Sequence, residues 1–146
     1  MLIPHVVQTE ADKVFVNILN VQAASVTNGD VVVWDVSSPD GVRATQPATA
    51  TLGCFIGIVD GTIAASAYGL AQAYGYKAVA RYSTDTATGA AGDCLFPTAG
   101  FDYLTNSAAT GVSSAASGAL SGFCYAAETR ADTITEADTK VFIRAL

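Results

Sequence analysis

The chain has 146 residues, 51% of them hydrophobic, and a formal net charge of −6 at pH 7. One domain of this size buries a real core without disulfide or metal staples. The acidic balance and seven singly scattered Lys and Arg residues exclude a nucleic-acid binder, which needs clustered basic side chains.

Only 14% of residues are charged, where soluble domains usually carry about 25%. Yet the longest uncharged stretch, Tyr103 to Ala127, is full of Ser, Thr, Gly and Asn, so no apolar run long enough to span a bilayer is present. A chain with so few charges cannot cover its own surface with them. Large apolar patches on soluble proteins usually mark contact sites, so an assembling subunit is expected.

The N-terminus, Met1-Leu2-Ile3-Pro4-His5, lacks a basic start and a long apolar run and does not read as a secretory signal. Residues 1–13 carry Pro4 and little patterning, so they are expected to form an extended arm ahead of a single β domain over 14–146. Val14 to Leu19 is rich in β-branched and aromatic residues and predicts a strand. Asn28-Gly29-Asp30 is a turn leading into a second strand, Val31 to Val36. Ser38-Pro39-Asp40-Gly41 turns again, and Val42 to Thr45 runs back. After a Thr/Ala/Pro loop, Cys54 to Val59 reads as a buried strand closed by Asp60-Gly61. Tyr68 to Tyr74 and Lys77 to Tyr82 flank Gly75-Tyr76 like the arms of a hairpin, although Ala-rich Thr62 to Tyr74 also permits a helix. Gly89 to Asp93 turns into Cys94-Leu95-Phe96, which Pro97 ends. The last strands are Phe123 to Ala127 and Val141 to Arg144, joined by a polar loop from Glu128 to Thr139. Asn106 to Ser121 reads as an extended low-complexity loop. Short strands separated by turns predict an all-β fold, a small barrel or sandwich.

Candidate chemistry is sparse. The single histidine, His5, sits in the arm, where no nucleophile and orienting group can be held beside it. Cys54, Cys94 and Cys124 are odd in number and widely spaced, which favours free thiols over a disulfide framework or a zinc site. Asp85, Asp93 and Asp102 lie in turns but lack the spacing of a calcium loop. No phosphate-cradling glycine motif occurs. No catalytic, cofactor-binding or metal-ligating residue is therefore assigned, and a non-enzymatic role without a cofactor is expected.

Gly57-Ile58-Val59-Asp60 and Thr88-Gly89-Ala90-Ala91-Gly92-Asp93-Cys94-Leu95 resemble two segments of trimeric deoxyuridine-triphosphate pyrophosphatases, but in reversed order. That likeness implies an alternative, a trimeric nucleotide hydrolase with Asp60 and Asp93 at its site. A wider resemblance runs from residue 28 to the end. Gly29-Asp30-Val31-Val32, Phe55-Ile56-Gly57-Ile58-Val59, Tyr68-Gly69-Leu70-Ala71-Gln72, Gly92-Asp93-Cys94-Leu95 and Val141-Phe142-Ile143-Arg144, in that order, resemble the head decoration (cement) proteins of tailed bacteriophages. The resemblance implies a tulip-like β fold and a homotrimer. Its partner would be the major capsid protein, on the outer capsid surface of a virion made in the host bacterial cytoplasm, with no contact to nucleic acid or membrane. The arm residues Leu2, Ile3, Pro4, His5, Val6 and Val7 would then touch the capsid or a neighbouring subunit. A third alternative is a carbohydrate- or receptor-binding virion module, with Trp34, Tyr68, Tyr74 and Tyr76 as aromatic platforms.

Overall fold

The computed structural model describes residues 12–38, 40–83, 89–106, 124–130 and 136–145. The arm residues Leu2 to Val7, and all of Asn106 to Ser121 except Asn106, lie outside them.

The described residues are all-β. Nine strands form one sheet: β1 (Val14–Asn20), β2 (Val31–Trp34), β3 (Arg43–Thr45), β4 (Phe55–Asp60), β5 (Tyr68–Tyr82), β6 (Cys94–Pro97), β7 (Leu104–Thr105), β8 (Cys124–Ala126) and β9 (Ala137–Arg144). The sheet closes on itself twice. β1 pairs parallel with β3, and β3–β2, β2–β4, β4–β5 and β5–β1 are antiparallel, which completes a first ring of five strands. β5 then pairs parallel with β7, and β7–β6, β6–β8, β8–β9 and β9–β5 are antiparallel. Strand order and direction are the same in both rings, and β5 is the last strand of one and the first of the other.

The hydrogen bonds repeat as well. Val21 N–H donates to the Ala44 carbonyl (3.1 Å) in the first ring, as Ser83 N–H does to Leu104 (3.0 Å) in the second. Gly29 N–H donates to Val59 and Gly92 N–H to Ala126, at 3.1 and 2.8 Å. Val59 and Ala126 donate back to the carbonyls of Asp30 and Asp93, both at 2.9 Å. Each of those aspartates closes the turn before its strand, accepting from Thr27 N–H at 2.6 Å or Ala90 N–H at 2.8 Å. Gly29 and Gly92, at φ 96° and 92°, supply the left-handed position that such a turn requires. The isolated bridges Val26↔Ile63 and Gly89↔Arg130 fall at the same places. The chain is thus an internal structural repeat.

Each ring has its own core. Ile18, Val32, Ile56, Val59, Ile63 and Ala71 fill the first, and Ala80, Leu95, Leu104, Cys124, Val141 and Ile143 fill the second. Val31, Phe55 and Ile58, from strands of the first ring, belong to the second core. β4 therefore lies between two cores, which explains its five consecutive buried residues. The rings are also wedged together. Gly29 accepts from Arg81 N–H (3.0 Å), and Val31 N–H donates to Asp102 (2.9 Å), so the β2 entry sits between β5 and β7. Those two strands are left with a single paired position, Tyr82↔Leu104. The Arg81 guanidinium seals this junction, with Asp30 and Asp102 each at 3.0 Å and Glu136 at 2.9 Å. Burial pushes the Asp30 carboxyl above its ordinary range, against the hydrogen bonds from Thr27 and the Arg81 charge.

Two sequence expectations are corrected. Tyr68 to Tyr82 is one continuous 15-residue strand and neither a hairpin nor a helix. Gly75 does take a positive φ (98°), but β5 runs on through it from its pairing with β1 and β4 into its pairing with β9, and a tight approach by Asp12 fills the space where a side chain at Gly75 would go. The polar connection after β8 is shorter than Glu128 to Thr139, because β9 starts at Ala137.

Candidate contact surface

The two rings share a backbone plan, so each is a control for the other. Val21 corresponds to Ser83 through the bonds just described, and hence Leu19 corresponds to Arg81. Across the antiparallel ladder Leu19 faces Tyr68, and Arg81 faces Asp138. Two residues further along, Leu70 corresponds to Lys140. The second ring thus presents Asp138 and Lys140 outward, with Lys140 bonded to Glu128 at 2.9 Å, whereas Arg81 is turned into the junction with Asp30 and Asp102. The first ring presents Tyr68 and Leu70 at those two places, beside the half-buried Leu19. Tyr68 is 63% exposed and Leu70 46%. A register shift between Val14 and Phe15 leaves both of these exposed as well, at 41% and 40%. The fold accepts charge at these positions, as the second ring demonstrates. The apolar face of the first ring is therefore a property of the sequence and not a demand of the architecture.

Phe15 joins this face to a cleft of about 220 Å³, lined also by Lys13, Asp60, Gln72, Tyr76 and Lys77. The Lys77 ammonium, 6% exposed, is ion-paired with the Asp60 carboxylate and donates to Asn28 Oδ1 at 3.0 Å. Gln72 is buried and its Nε2 donates to the Tyr74 and Tyr76 carbonyls at 3.1 and 3.0 Å. These polar groups satisfy one another. They hold the bulged middle of β5 in shape.

A second depression, about 330 Å³, is lined by Trp34, Asp35, Val36, Gly41 and Arg43. Hydrogen bonds from Ser37, ahead of Arg43 at 3.2 Å, keep the Asp35 carboxyl below its usual range. The four aromatics proposed as sugar platforms are dispersed. Trp34 lies in this depression, Tyr76 lines the Lys77 cleft, Tyr68 is on the apolar face, and Tyr74 packs edge-on against Phe142 (centroids 5.5 Å). Asp60 ends β4 in the first ring, whereas Asp93 closes the turn before β6 in the second. Asp102 is bound to Arg81, and Asp85 lies outside the described residues. Among the described residues no three His, Cys, Asp or Glu groups are placed to hold a metal, and no helix is long and apolar enough to cross a membrane.

Cys124 is fully buried, and burial pushes its thiol far up, while Cys54 and Cys94 are half-buried. Tyr82 is also buried, and desolvation, with the nearby Asp93, raises its phenol to about 12. Thiol labelling under native conditions is expected to modify Cys54 and Cys94 within minutes and Cys124 only on unfolding; three equally fast thiols would contradict the second core.

The sequence did not single out Leu19 and Leu70. The alternation Tyr68-x-Leu70 was visible, but which face it belongs to depends on the β1–β5 register, set by distant residues. No protein-family model matches the chain, and no curated protein matches it either.

Proposed function

We propose that this protein is a non-enzymatic structural subunit of a virion, a capsid decoration protein that self-associates, as a trimer, and binds major capsid protein on the outside of a phage shell. The observation that carries this reading is the apolar outer face of the first ring, set where the second ring is charged. The 14% charged fraction and the ordered turn-and-strand resemblance support it. Repeated shell sites reward a symmetric oligomer, because each added contact is intramolecular once the first has formed. Reinforcing a shell against internal DNA pressure requires contacts and no chemistry, and the satisfied polar groups of the Lys77 cleft agree with that.

The test is co-sedimentation with emptied phage heads that lack decoration, together with light scattering. Saturable binding, slower thermal rupture of the heads and a solution mass of three 14.9 kDa chains are expected. A chain that is monomeric and leaves the heads bare would sink the reading. A glycan- or receptor-binding role is the second reading, favoured by Trp34 beside Asp35 and Arg43 in the larger depression. Glycan-array binding lost on Trp34→Ala would move the assignment there.

A further inference from the structure

We infer that the apolar face of the first ring receives the N-terminal segment Leu2 to Val7 of a second copy of this chain. The inference rests on the self-association part of the proposed function and is independent of the capsid.

Three observations meet here. The first is the comparison between rings, in which Tyr68 and Leu70 stand where the exposed Asp138 and Lys140 stand, so something other than the fold requires an apolar surface at those two positions. The second is the length and chemistry of the chain ahead of β1. Eleven residues precede Asp12, and Leu2-Ile3-Pro4-His5-Val6-Val7 is an apolar run with no acidic or fixed basic charge. Extended, six residues reach about 20 Å, and the strip from Phe15 to Leu19, which has the exposed Asn17 between them, is about 13 Å long, so the run covers the strip with about two residues over.

The third is direction. Asp12 lies tightly over Gly75 and leads directly into β1, which runs from Phe15 toward Leu19. A chain continued backward from Asp12 points away from its own apolar strip. To return, it would have to reverse within Gln8-Thr9-Glu10-Ala11, ahead of the Asp12 already fixed over Gly75, and those four residues include none of the Gly, Pro, Asn, Asp or Ser that favour tight turns. The run is therefore assigned to a neighbour's strip. Each copy then offers one arm and accepts one, a head-to-tail contact that closes into a ring when the rotation allows.

Complementation between two full-length variants tests this. Ile3→Asp with Val6→Asp spoils the arm and leaves the face. Tyr68→Asp with Leu70→Lys spoils the face and leaves the arm, using the exposed residues that the second ring already holds at Asp138 and Lys140. Each variant alone is expected at the monomer mass of 14.9 kDa, and an equimolar mixture is expected to form a one-to-one dimer through the single intact arm–face contact. Should the face variant not fold by circular dichroism, Leu70→Lys alone takes its place. The inference is overturned if either variant keeps the wild-type oligomer, or if the mixture stays monomeric while the wild type assembles. Wild-type protein that is itself monomeric overturns it too, whereas decoration of heads by that monomer would leave the capsid reading standing. A face variant that assembles normally but fails to bind heads would assign the face to the shell.

Discussion

Gly57→Ala is expected to destabilise the protein by at least about 3 kcal/mol, the upper part of the range for overpacked cores, and to lower its melting temperature by roughly 10 °C. Gly57 is the middle residue of β4, opposite Val32 on one side and against Gln72 and Ala73 of β5 on the other. A Cβ there would collide with the Gln72 carbonyl oxygen and lie 2.7 Å from its carbon and 3.2 Å from the Ala73 Cα. These are backbone atoms, so no side-chain rotation relieves the contact. β5 cannot retreat, because it is bound to β1 and β4 in one ring and to β7 and β9 in the other. Gln72, which would move with its backbone, also holds the Tyr74 and Tyr76 carbonyls. Gly61→Ala makes the contrast in space if not in φ: a Cβ there meets nothing within 4 Å, though its φ of 91° carries the usual left-handed cost of about 1 kcal/mol. Thermal melts of both variants decide it; a Gly57→Ala protein as stable as wild type would mean that β4 and β5 are not in this close register.

Local signals were legible wherever a strand or turn is specified by adjacent residues. Val14 to Leu19, Val31 to Val36 and Cys54 to Val59 read as strands from β-branched and aromatic content, the second of them two residues longer than β2, and the Gly29-Asp30 and Gly92-Asp93 turns from their chemistry. Tyr68 to Tyr82 misled for a physical reason. Gly75 in the middle of a strand ordinarily signals a turn, and only the passage of Asp12 across it explains the glycine. β7 escaped notice because two residues, Leu104 and Thr105, cannot display an alternation. The internal repeat was invisible for a similar reason. It is carried by backbone bonds and strand order; the matching core positions, such as Val59 and Ala126, share only a generic apolar character, and surface positions such as Leu70 and Lys140 not even that. The same difference conceals the apolar face, since Tyr68 and Leu70 look like any half-buried strand until the register places them opposite Leu19 and Asn17.

Ile58→Ala should cost about 2–5 kcal/mol, as truncations of buried aliphatics do when the site cannot collapse, and it should do so without splitting the unfolding transition. Ile58 is fully buried, and although its strand belongs to the first ring its side chain completes the second core with Val31 and Phe55. Removing it therefore opens a cavity at the seam between rings. Two reporters lie on opposite sides of that seam. Trp34, the sole tryptophan, packs against the first core, and Cys124 is sealed in the second. Trp34 fluorescence and the exposure of the Cys124 thiol should lose their native values at the same denaturant concentration, in wild type and in the variant, because the shared strand β5 and the Arg81 junction leave neither ring complete without the other. If the Cys124 transition moved to lower denaturant while that of Trp34 stayed in place, the rings would be independent folding units joined only by covalent continuity. Coincident curves shifted together would instead make the repeat one cooperative body.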